Sequence, residues 1–122
     1  SSANTTVLGT TILEYTGNHA TPFDSSTLNI AFAAAAGPSQ MTTGNVTVSQ
    51  PGTMLIGVFV QGLASDDVTP DSGFTARTDT GVITSTLHVQ DITGQSAALA
   101  LTATLNSAGN RYVALGASFK PA

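Results

Sequence analysis

Asp66, Asp67 and Asp71 crowd into ASDDVTPDSG, and Asp79 follows beyond Phe74. Calcium takes roughly six to eight oxygen ligands from carboxylates, carbonyls and water, so three nearby aspartates among flexible Ser and Gly could supply part of a calcium shell. The spacing lacks the alternating aspartates and closing glutamate of an EF-hand loop. The simpler reading is a wet turn whose carboxylates accept local hydrogen bonds. His19 and His88 stand far apart in sequence and make a poor start for zinc. They serve nucleophilic catalysis no better, since no Gly-x-Ser-x-Gly elbow is present. His19 sits among Gly, Asn and Pro, and His88 is expected on the outward side of a strand with Thr86 and Gln90, as a solvated or interface residue. Glycoside hydrolysis needs two carboxyl groups across a cleft. Glu14 is the sole glutamate, and three of the six aspartates share one loop. No catalytic residue is therefore expected. Sugars stack on exposed rings; without tryptophan, Tyr15 and Tyr112 are the candidate glycan contacts.

The composition narrows the partners. Charged residues make up 8% of the 122-residue chain and apolar ones 41%, with a net charge of −4. A globular domain normally carries about a quarter charged residues. Arg77, Arg111 and Lys120 are the only basic side chains. They cannot form a patch for nucleic acid or for an anionic membrane surface. The scarcity of charge together with substantial apolar content also argues against disorder. Cysteine is absent, which removes disulfides and thiol chemistry but does not fix a compartment. The opening SSANTTVLGTT lacks the charged and apolar regions of a signal peptide. Either a leader has been removed, or the chain is made in the cytoplasm.

The elements that would position these residues read as strands. TTVLGTTILEY, residues 5–15, suggests one or two short strands, and residues 16–26 a loop by their Gly, Asn, Pro and Ser. Leu28, Ile30 and Phe32 alternate as in a strand, although Asp24 or Ser25 could cap a helix over residues 28–36; a strand through Phe32 is favoured. Val46 and Val48 alternate in GNVTVS, and Pro51-Gly52 marks a turn. MLIGVFV, residues 54–60, is apolar on both sides, as expected of a central strand covered twice. Residues 61–73 read as an acidic loop, and Phe74–Thr78 as a short strand. Ile83, Leu87 and Val89 line one side of a strand ending near Asp91, broken by Gly94. AALALTATL and RYVALGASF complete the set, with Val113, Leu115, Ala117 and Phe119 expected inward. Some eight turn-punctuated strands predict one all-β domain over residues 1–122, an antiparallel β-sandwich of jelly-roll type, with an immunoglobulin-like sandwich as runner-up.

The run PGTMLIGVFVQG, then TPDSGFTA, then the closing ALGASFKP resembles a β-sandwich module of phage virion proteins and secreted bacterial proteins, with Phe74 where those modules place tryptophan. The resemblance implies a structural or attachment role and carries no functional residues with it.

In AALALTATL the side opposite the core holds Ala98, Ala100, Thr102 and Thr104, none charged and none larger than threonine. Tyr112 and Ala114 have the same character on the last strand, and the two sets would form one smooth interface if these strands were neighbours. The same side could instead be covered within the chain. The expectation is a non-enzymatic subunit without a cofactor that assembles on itself or a larger protein scaffold, in the setting of a virion head-decoration or tail protein. Residues 1–10 would serve as an arm adding a strand to a neighbour. The alternative is an extracellular carbohydrate-binding module.

Overall fold

The computed structural model describes residues 12–32, 39–61, 68–82, 85–106 and 111–122. They form β1 (Asn18–Phe32), β2 (Ser39–Val46), β3 (Thr53–Gln61), β4 (Val68–Pro70), β5 (Thr75–Val82), β6 (Ser85–Gln95), β7 (Leu99–Leu105) and β8 (Arg111–Pro121). No helix occurs among the described residues. Two antiparallel sheets result, one ordered β1-β8-β3-β6-β5 and the other β2-β7-β4. The ladders are nested: β1 pairs with β8, β2 with β7, and β3 with β6. The chain is thus a long antiparallel ribbon folded over on itself, and its two layers close around one core in a β-sandwich-like, all-β architecture.

The core draws on both layers. Met41, Val46, Val68, Leu101, Ala103 and Leu105 come from the three-stranded sheet. Leu55, Phe59, Tyr112 and Ala114 come from the five-stranded one. The alternation of β7 predicts its part correctly, since Leu101, Ala103 and Leu105 are fully buried.

Several boundaries differ from the sequence reading. The segment expected as a loop from residue 16 becomes β1 at Asn18. Among the described residues β1 is an edge strand paired only with β8, and its register slips between Asn18, Phe23 and Ser25. An edge tolerates Pro22, whose missing N–H costs no ladder bond there. The expected strand through Phe32 is present, while residues 33–38 lie outside the described residues. β2 ends at Val46, so Val48 lies past it, and part of the expected acidic loop is β4. β6 passes the expected stop near Asp91 and Gly94 by means of a bulge opposite Thr53–Leu55, with Gly94 at φ 74°.

The main correction concerns β8. Tyr112, Ala114, Gly116 and Ser118 point between the sheets, while Leu115 is 44% exposed on the other side. The cause is the close approach of the layers. A Cβ on Gly116 would lie 2.5 Å from Val46 Cγ2 and 3.1 Å from Thr43 Cβ. Only the small-residue side of β8 fits there, so hydrophobicity does not choose the inner face. β3 is central as expected, but among the described residues its Ile56, Val58 and Val60 side is not fully covered.

Candidate functional site

The five-stranded sheet carries its polar residues inward. Ser118 Oγ donates to Thr47 O at 2.8 Å and Thr27 Oγ1 to Thr43 O at 2.8 Å. Asn29 Nδ2 donates to Thr42 O at 2.9 Å, and Gln90 Nε2 to Thr102 O at 2.8 Å. Each bond runs from a side chain of the five-stranded sheet to backbone of the other layer or its continuation. This satisfies groups that would otherwise be costly to bury. His88 is wholly buried, contrary to its expected outward position; its Nε2 meets Gln90 Oε1 at 3.0 Å, and among the described residues its Nδ1 has no hydrogen-bond partner.

The opposite side of the same sheet is apolar. The registers place Leu28 beside Leu115 and Ile30 beside Val113. They also place Val58 between Leu115 and Val89, and Val60 between Val113 and Leu87. Leu28 is 60% exposed, Ile30 70% and Phe23 57%. Phe23 meets Phe119 edge-on with ring centres 6.2 Å apart. From Leu28 across to Val89 no side chain of this face is ionisable. A shallow groove of about 350 Å³ crosses it, lined by Ser26, Ile56, Val58, Leu115, Ala117 and Phe119.

An ion pair, Arg77 with Asp91, stands at one end of the face. Asp91 is 1% exposed and accepts from the Tyr15 hydroxyl at 2.5 Å and from Arg77 Nε at 2.7 Å. Burial, and then the hydrogen bond to anionic Asp91, push the Tyr15 hydroxyl up to about 12. Neither Asp91 nor Arg77 was a candidate on sequence, because their pairing depends on a β5–β6 bulge that shifts the register between Ala76 and Thr78.

The residues singled out on sequence are therefore dispersed. Ala98 is exposed, and Ala100, Thr102 and Thr104 are half-buried, on the outer side of the three-stranded sheet. Tyr112 and Ala114 lie between the sheets instead, and β7 and β8 belong to different layers, so the single patch drawn across both strands does not form. Nor do the two candidate glycan tyrosines form a platform. Tyr112 is buried and its hydroxyl faces the Thr42 amide at 3.4 Å, whereas Tyr15 is tied to Asp91 on the opposite side of the sheet. Asp71 accepts from Thr104 Oγ1 at 2.8 Å and Gln40 Nε2 at 2.5 Å. Its partial burial raises the carboxyl, but hydrogen bonds from Thr102, Thr104 and Gln40 outweigh this and hold it below the ordinary value. Asp66 and Asp67 lie outside the described residues, and among the described ones no three histidine or acidic side chains converge. His19 is exposed, with Nδ1 accepting from the Thr21 amide at 3.1 Å.

Comparison with known proteins gives no match to a family model, to a curated protein or to a solved structure.

Proposed function

We propose that the protein is a non-enzymatic structural subunit that assembles through the outer face of its five-stranded sheet. One observation carries this reading: the outer side of the sheet is apolar, with Leu28, Ile30 and Leu115 exposed. Water penalises such an arrangement unless another surface covers it. Covering about 500 Å² of this face would release roughly 12 kcal/mol, of the same order as the cost of association. The assembling surface is therefore the Leu28–Leu115–Val60 side, in place of the Ala/Thr surface expected from sequence. The nested pairing of β1 with β8, β2 with β7 and β3 with β6 supports the jelly-roll type over the immunoglobulin-like one. A virion decoration or tail protein is the setting that the sequence resemblance favours.

The test is light scattering over a concentration series for the full chain and for Leu28→Glu and Leu115→Lys. The full chain is expected to exceed monomer mass. Each variant should weaken association by more than about tenfold, because a charge would be buried without a partner. A chain that stays monomeric throughout, or variants that associate like the parent, overturns the reading.

A further inference from the structure

Rows of side chains run across the strands on the outer face. The registers align Phe23 with Phe119, Ser26 with Ala117 and Ile56, and Leu28 with Leu115 and Val58. Where β1 and β8 cross the middle row it is low, because its side chains there are only serine and alanine. Higher rows flank it on both sides. The rings of Phe23 and Phe119 meet edge-on along one, and Leu28 and Leu115 stand exposed along the other. The shallow groove is this valley: Ser26, Ala117 and Ile56 line its floor, and Leu115 and Phe119 its walls. Ridge and valley lie two residues apart on the same strands, about 7 Å.

Such a face is complementary to itself. Consider a two-fold axis running across the strands, midway between the Ser26–Ala117 row and the Leu28–Leu115 row. It sets Leu28 of one copy over Ser26 of the other and Leu115 over Ala117, and repeats both contacts in reverse. We infer that the partner of this face is a second copy of the chain, stacked sheet on sheet so that the Leu28–Leu115 ridge of each fills the Ser26–Ala117 valley of the other. The inference deepens the proposed function and rests on that reading for the role of the face. Charge agrees with it. Near a two-fold axis a charged side chain would meet its own image, and these rows carry no ionisable side chain on β1, β8 or β3. Area agrees as well. About 500 Å² from each copy makes about 1,000 Å² in all, the lower bound for a specific interface and well short of an obligate dimer. Association in the micromolar range or weaker follows. Each contact is made twice, so ridge and valley are both filled and assembly closes at two copies.

The test exchanges charge between ridge and valley. Leu115→Lys and Ala117→Asp are made on separate chains, and mass is followed by light scattering over a concentration series. The parent mass is expected to level at twice that of the monomer. Each variant alone should associate more than about tenfold more weakly, because it buries an unpaired charge. An equal mixture should recover about tenfold, because one contact becomes Lys against Asp while the other keeps Leu115 against Ala117. Leu28→Lys mixed with Ser26→Asp repeats the exchange at exposed positions of β1, where folding is least at risk. A mixture no tighter than its components, or a parent mass that grows past two copies, overturns the two-fold pairing and leaves the face as the assembling surface. Single variants that associate like the parent, or a parent that stays monomeric, overturn both.

Discussion

At the scale of single residues, the spacing between the layers hangs on Gly116. A methyl group there would meet Val46 Cγ2 at 2.5 Å and Thr27 Oγ1 at 3.0 Å. Val46 is fully buried and cannot retreat without opening the core. Gly116→Ala is expected to destabilise the fold by about 2 kcal/mol, in the range of overpacked cores, and Gly116→Val by more. Urea midpoints measured at constant m-value check this. Tyr15 gives a second prediction, in alkali. Its hydroxyl is held at about 12 in the fold against an ordinary 10.0, so the native state keeps its proton over that interval. The contribution of Tyr15 to stability is thus complete below pH 10 and lost as pH rises toward 12. Ionisation would set a second negative charge against Asp91 and release the segment that Tyr15 holds. The difference in tyrosinate absorbance between the parent and Tyr15→Phe should show a step near pH 12, not near pH 10.

At the scale of strands, continuity across irregular points matters more than composition. Gly94 sits at φ 74° in the bulge that carries β6 past Asp91 to Gln95, and no atom stands within 4 Å of where its Cβ would be. The penalty for a side chain there is conformational, not steric. Gly94→Ala is expected to cost about 1 kcal/mol, and Gly94→Asn less, since asparagine tolerates the left-handed region. Thermal midpoints of the two variants, measured side by side, test this order. The same reasoning explains what the sequence made legible. Periodicity found β7 and its inner residues, because a strand of alternating Leu and Ala or Thr admits one orientation. It also found β3 as central and apolar on both sides. It failed at Pro22, where loop composition concealed an edge strand, and at Gly94, where a bulge resembled a stop. On β8 it inverted the faces: Val113 and Leu115 are the more apolar choices for a core, yet the inner side holds Ala114 and Gly116. On β6 it missed that His88 and Gln90 are buried as well as Val89. Layer separation and inter-sheet hydrogen bonds made that choice, and neither is written in the alternation of a single strand.

At the scale of the whole molecule, one chain holds two kinds of surface. Between its layers, amide and hydroxyl side chains bond across to backbone, from Ser118 to Thr47 and from Gln90 to Thr102. Its outer five-stranded face offers no such groups between Leu28 and Val89 and is free of ionisable side chains there. An interface built on that face has almost nothing for salt to screen. The Debye length falls from about 30 Å at 0.01 M salt to about 3 Å at 1 M, which would strongly weaken an interface held by ion pairs. Here the association constant is expected to change by less than about threefold between low and high sodium chloride. Sulfate, which is excluded from apolar surface, should strengthen association, and cooling should weaken it as the hydrophobic driving force fades. Sedimentation at several temperatures in chloride and in sulfate reads all three dependences. Dissociation by sodium chloride, or tighter assembly in the cold, would mean that the chain associates through its polar surface and not through the apolar face of the five-stranded sheet.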